Sequence, residues 1–90
     1  MSPKTRENKS MIEPQTDISD NGRYICISTS LPGVNEEKIR LDLENNKLTI
    51  SATGDEKTYK KVIRVPDYTK FYRKKFNGGI LEIVMEKPAP

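Results

Sequence analysis

Apolar and polar residues alternate in short segments along most of this chain. Residues 39–44 read Ile-Arg-Leu-Asp-Leu-Glu, and residues 47–52 resume the alternation after Asn45-Asn46. A period of two is typical of a β-strand that buries one face. Asparagine tolerates the positive φ of a tight turn. The pattern therefore predicts a β-hairpin over residues 39–52.

The same pattern predicts strands elsewhere in the chain. β-Branched residues alternate over residues 23–30, and the turn signal Asn21-Gly22 pairs this segment with the preceding one. Asn35 is placed to begin a single helical turn. Short strands separated by turn signals every 8–12 residues or so predict an all-β fold, an antiparallel β-sandwich of about seven to eight strands, immunoglobulin-like in architecture. The predicted strands are 16–19, 23–30, 39–44, 47–52, 58–65, 70–76 and 80–86.

The chain divides into one domain with two short flanking segments. Residues 1–13 are polar and charged and are predicted to form a flexible arm. Residues 14–87 contain the alternating segments and form the domain, and residues 88–90 are a tail. Only 33% of the 90 residues are hydrophobic, but one apolar face on each strand is sufficient to build a core between two sheets.

The composition excludes several kinds of chemistry. The sequence contains no histidine, so a catalytic triad or a metal centre that needs imidazole is excluded. Cys26 is the only cysteine, so the chain has neither an internal disulfide nor a zinc cluster. It lies between isoleucines, and we expect a buried or half-buried side chain. We predict a non-enzymatic, cytoplasmic protein without metal or cofactor, and no segment is apolar enough to span a membrane.

Positive charge is concentrated in one part of the sequence. The formal net charge is +3, but residues 57–75 carry eight basic residues and one acidic residue. Four aromatic residues lie among these cations, a combination found on nucleic-acid-binding surfaces. The alternative is that the aromatic residues face the core while the cations face solvent. The alternation favours this alternative, so nucleic acid is not the expected partner. The four aromatic residues are Tyr59, Tyr68, Phe71 and Tyr72.

Several short motifs together resemble the α-crystallin domain of small heat-shock proteins. Leu31-Pro32-Gly33-Val34 precedes an alternating strand, and Val62–Pro66 ends another strand with a basic-apolar-proline step. Gly79-Ile80-Leu81 matches the glycine-x-leucine signature of that family. The motifs occur in the family's order over residues 14–87. The resemblance assigns structural roles to Leu31, Pro32, Gly33, Gly79 and Leu81.

The resemblance implies a function and a binding site. Members of the family are ATP-independent holdases that bind partly unfolded client proteins through apolar grooves and sheet edges, and they associate as dimers. No catalytic residue, metal or cofactor is expected. The family's peptide-binding groove corresponds to the space between the strand at 39–43 and the strand at 71–76. Its expected lining is Leu41, Leu43, Phe71 and Arg73.

The sequence also departs from the family pattern. Many members carry a long loop that is exchanged between protomers, whereas only residues 53–59 join the corresponding strands here. Residues 87–90 lack the Ile-x-Ile anchor that fills a neighbour's groove, and Lys74 replaces an expected alanine. The short connection is shared with CS-domain co-chaperones, which use the same sandwich to bind a folded chaperone. An adaptor of that kind is therefore the alternative function.

Overall fold

Two four-stranded sheets make up the computed structural model, which describes residues 10–89. The first, sheet A, has the strand order β1-β6-β5-β4, and the second, sheet B, has the order β2-β3-β8-β7. A 3-10 turn, Glu36–Lys38, precedes β4. The strands are β1 (Ser10–Ile12), β2 (Thr16–Asp20), β3 (Tyr24–Ser30), β4 (Ile39–Glu44), β5 (Lys47–Thr53), β6 (Lys57–Arg64), β7 (Lys70–Asn77) and β8 (Ile80–Glu86).

The pairing within the sheets is antiparallel, with the exception of β1, which runs parallel to β6. The predicted hairpins β2–β3 and β4–β5 are both present. The predicted all-β antiparallel sandwich is therefore confirmed. Within residues 10–89, no helix is long and apolar enough to cross a membrane.

The core lies between the sheets and is built by every second residue of the central strands. Burial alternates strictly along β3, β5 and β8, as expected when one face of a strand is buried. Leu31 and Leu81, two of the signature positions, are both buried. The largest fully buried side chains are Ile27, Thr29, Leu31, Leu48, Ile50, Leu81, Ile83 and Met85.

Two signature segments that are distant in sequence meet at one end of the sandwich. Gly79 has φ +80°, a conformation that residues with a Cβ rarely adopt. This conformation lets the backbone N–H of Leu31 donate a hydrogen bond of 2.7 Å to the carbonyl of Gly79. The hydrogen bond connects the end of β3 to the β7–β8 turn, so both signatures stabilise the same junction.

Three features differ from the sequence-based expectations. Residues 10–12 form strand β1, although they were predicted to belong to a flexible arm; residues 1–9 of that arm lie outside the described residues. The helical turn after Asn35 is present, but the Asn35 side chain makes no capping hydrogen bond. The prediction for Cys26 is wrong, because its side chain is exposed on the outer face of sheet B. The neighbouring residues Ile25 and Ile27 face the core instead.

Candidate binding groove and open sheet edges

The β4 and β7 strands, at the edges of the two sheets, border an open groove. Three of the four residues predicted from the sequence, Leu41, Phe71 and Arg73, line a depression of about 410 Å³ together with Tyr72 and Lys74. The fourth, Leu43, does not line it. Leu43 is half-buried and packs against the hydrophobic core. The structure therefore brings Leu41, Phe71 and Arg73 together and leaves Leu43 outside the lining.

A register shift in β7 explains the composition of the groove. Phe71 pairs with Met85 and Arg73 pairs with Val84, so Tyr72 has no partner in the β7–β8 ladder. An extra residue of this kind interrupts the alternation of side chains between the two faces. Tyr72 and Lys74 were not predicted to line the groove, because the prediction assumed an unbroken strand, in which neighbouring side chains lie on opposite faces.

The groove combines apolar surface with positive charge. Phe71 is 41% exposed, and Leu41 is half-buried beside it. The guanidinium of Arg73 lies 5.9 Å from the centroid of the Tyr72 ring, within cation–π range. The Tyr72 ring in turn lies 5.0 Å from the ring of Tyr24 on β3. A peptide with an apolar side chain next to an acidic one would match this surface.

Both edges of sheet B are open within residues 10–89. β2 pairs only with β3, and β7 pairs only with β8. Each edge strand therefore has a row of backbone N–H and C=O groups that face away from the sheet. Such an edge is a template for an additional strand, and several peptide-binding domains bind their ligands in this way.

The basic residues of the 57–75 segment do not form one surface along adjacent strands. Four lie on β6 in sheet A and four on β7 in sheet B, and these strands are not neighbours in either sheet. Tyr59 is buried, as the favoured interpretation required. That interpretation is wrong for Tyr68, which is 86% exposed, and for Tyr72, which is 55% exposed. The structure thus separates the cations that the sequence places together.

Ion pairs connect the ends of the strands in sheet B. Lys87 Nζ lies 2.8 Å from Asp20 Oδ2, and Arg23 Nη2 lies 2.9 Å from Glu86 Oε2. The hydrogen bond from Lys87, aided by the backbone N–H of Gly22, lowers the pKa of the Asp20 carboxyl. The hydrogen bond to Glu86 raises the pKa of Arg23. Both pairs are exposed, so each contributes little to the stability of the fold.

A second depression lies beside the exposed thiol of Cys26. Its volume is about 330 Å³, and it extends across β2, β3 and β8 between Asp17 and Val84. Among the described residues, no cluster of three or more histidine, cysteine or acidic side chains is arranged to hold a metal ion. The β4–β7 groove and the two open edges of sheet B place apolar side chains beside unpaired backbone groups, a combination that suits binding of another polypeptide.

A two-sheet sandwich with this strand order and a groove between edge strands has the architecture of an α-crystallin-type β-sandwich. Its fold matches that of small heat shock protein AgsA from Salmonella typhimurium, in a C-terminally truncated form, with a TM-score of 0.76. The superposition covers 88% of this chain and 91% of that one, at 17% sequence identity. No family model matches the sequence.

Sequence comparison points to the same group of proteins. Small heat shock protein C4 of Rickettsia felis is 35% identical over 57 residues, which are 63% of this chain and 35% of that protein. Small heat shock protein C2 of the same organism is 27% identical over 103 aligned residues, covering 94% of this chain and 67% of that protein. The chain is thus similar in sequence to small heat shock proteins, and the resemblance predicted from its sequence is confirmed.

The lengths of these matches carry further information. The chain spans about a third of the length of the first relative and about two thirds of the second. The alignment with the second relative extends over 103 positions, more than the 90 residues of this chain, so that relative contains residues without a counterpart here.

Proposed function

We propose that this chain is an ATP-independent holdase that binds partly unfolded proteins in the β4–β7 groove and along the open edges of its sheets. The proposal assigns no catalytic residue and no cofactor. The observation that carries it is the groove itself: Leu41, Phe71 and Tyr72 present apolar surface beside the unpaired edge of β7. An unfolded chain supplies both an extended backbone and apolar side chains, and this site is complementary to both.

The relationship to small heat shock proteins supports this function. Partly unfolded proteins expose apolar side chains that aggregate with one another, and binding of even one such segment competes with aggregation. Because a groove of this size takes only one or two side chains, affinity for any single segment is expected to be modest. Protection should therefore require the chaperone in amounts comparable to those of the client.

The test is suppression of heat-induced aggregation of a model client, followed by light scattering. The chain is added at increasing molar ratios up to an excess, and the wild type is compared with Leu41→Ser and Phe71→Ser. Both variants should reduce protection, because they remove apolar surface from the groove. Val62→Ser is the matched control, since Val62 is 46% exposed but lies on β6, away from the groove. Circular dichroism melts verify that each variant is folded at the assay temperature.

Two results would contradict the proposal. The first is no protection by an excess of the wild-type chain. The second is equal protection by the groove variants and by Val62→Ser in folded form, which would place client binding elsewhere on the surface.

The turn between β5 and β6 favours one alternative, a CS-domain-like adaptor that binds a folded chaperone. Only residues 54–56 separate the two strands, and the backbone N–H of Gly54 donates a 2.8 Å hydrogen bond to the carbonyl of Lys57. The connection is therefore a plain hairpin turn with no additional strand in it. Affinity capture of a native, folded chaperone, with no retention of denatured clients, would support the adaptor.

A further inference from the structure

The two edge strands of sheet B carry opposite charges. β2 has the sequence TDISD, with two aspartates and no basic residue. β7 has the sequence KFYRKKFN, with four basic residues and no acidic residue. Every residue of β2 except Thr16 is exposed, and so is every residue of β7 except Phe76. One edge of the sheet is thus acidic and the opposite edge is basic.

The directions of these strands are compatible with pairing between copies. Each neighbouring pair in the series β2, β3, β8, β7 is antiparallel, so β2 and β7 run in opposite directions. If a second copy is displaced sideways in the plane of the sheet, its β2 comes to lie antiparallel to β7 of the first copy. No rotation of the second copy is needed beyond the ordinary sheet twist.

The side chains on the two edges also match when the copies are placed in this way. Ile18 pairs with Ile27 and Phe71 pairs with Met85, so both lie on the inner face of sheet B. Ile18 is 50% exposed, and it would approach the apolar surface beside Phe71. Asp17 pairs with Ser28 and Arg73 pairs with Val84, so both lie on the outer face of sheet B. Asp17 of the second copy would therefore approach Arg73 of the first.

We propose that the chain self-associates head to tail, with β2 of one copy added to the β7 edge of the next. The occupant of the basic edge is therefore the acidic edge of a second copy. Pairing of like edges is disfavoured, because β2 against β2 opposes aspartates and β7 against β7 opposes cations. This inference goes beyond the proposed function, since it concerns contacts between copies and does not depend on client binding.

Such an interface is small and open-ended. Only the five residues of β2 pair, so the buried area lies below the roughly 1,200 Å² of stable complexes, and the association is weak and concentration-dependent. A head-to-tail contact leaves one free edge of each kind on every assembly. It therefore produces a series of oligomers or a closed ring and does not stop at a dimer.

The test is sedimentation velocity over a concentration series of the whole chain. Wild-type association should weaken as the salt concentration rises from about 0.02 M to about 0.5 M, because the exposed charges are then screened. Asp17→Lys and Arg73→Glu should each lower the association constant about three- to tenfold, because reversal turns an attraction into a repulsion. Asp55→Lys and Arg64→Glu are matched controls, with the same charge changes at exposed positions outside both edges.

A mixing experiment distinguishes this interface from others. In an equimolar mixture of Asp17→Lys and Arg73→Glu, the first chain keeps a native β7 and the second keeps a native β2. Association should therefore recover, although each variant alone is impaired. The proposal is overturned if the wild type stays monomeric at all concentrations, if the controls are as impaired as the edge variants, or if mixing restores nothing.

Discussion

Replacing Leu81 with alanine tests the core assignment most directly. Leu81 is 1% exposed and lies on β8 between Thr29 of β3 and Phe76 of β7. The backbone of β8 is held by hydrogen bonds on both sides, so the site cannot collapse to fill the space that the side chain leaves. The substitution therefore creates a cavity between the sheets.

The expected cost is large relative to the stability of so small a domain. Leucine-to-alanine changes at buried sites cost about 2–5 kcal/mol, with the higher costs at sites that cannot collapse, and we expect about 3–4 kcal/mol for Leu81→Ala. Folded domains have a free energy of unfolding of about 0.05–0.15 kcal/mol per residue, which gives about 5–13 kcal/mol for this domain. The melting temperature should fall by about 12–32 °C, because 1 kcal/mol corresponds to about 4–8 °C in a domain of this length.

The assay is urea denaturation followed by circular dichroism, with Ile80→Ala as the control. Ile80 precedes Leu81 on the same strand but is 37% exposed, so its loss should cost about 1 kcal/mol or less. An unchanged denaturant slope would show that Leu81→Ala acts through stability alone. Equal losses for the two variants would refute the assignment of Leu81 to the core face of β8.

Two further predictions concern polar groups. Thr69 is 5% exposed, and its hydroxyl has no hydrogen-bond partner among the described residues. Thr69→Val should therefore raise the free energy of unfolding by about 1 kcal/mol, measured by the same urea denaturation. A decrease would mean that the hydroxyl forms a hydrogen bond in solution. The lowered pKa of Asp20 implies a stabilising contribution that is present above its ordinary pKa of 3.8 and is lost as pH falls through the folded-state value. The melting-temperature difference between wild type and Asp20→Asn should therefore be larger at about pH 7 than at about pH 3, whereas a pH-independent difference would contradict the role assigned to Lys87.

Strands with a strict alternation were predictable from the sequence. The predicted strand over 80–86 matches β8, and the predicted hairpin over 39–52 matches β4 and β5 within one residue. In these segments the hydrophobic pattern and the turn residues agree with the tertiary structure. β7 was only weakly indicated, because nearly all of its residues are exposed and the register shift after Phe71 interrupts any alternation.

β1 could not be predicted from local sequence. It has three residues, and it forms because the edge of β6 lies beside it in the folded chain. Cys26 was misassigned for a different reason. A small apolar residue fits either face of a strand, so only the placement of Ile25 and Ile27 toward the core determines that Cys26 points outward.

The candidate groove was only partly predictable. Leu41 follows from the alternation of β4, and the family resemblance placed β4 opposite β7. The register shift between Phe71 and Arg73 determines how many residues of β7 line the groove, and no pattern in the sequence reveals that shift. Tyr72 and Lys74 therefore emerged only from the structure.

The order of strands in the sandwich has a consequence for synthesis on the ribosome. β4, β5 and β6 are consecutive in sequence and adjacent in sheet A, so they can pair as soon as they leave the exit tunnel. β3 sits between β2 and β8, and β8 is the last strand to be made. Until it emerges, β3 keeps one edge unpaired and its apolar face, with Ile25 and Ile27, uncovered. A nascent chain paused before Ile80 therefore has the same exposed apolar strand that drives other unfinished proteins to aggregate.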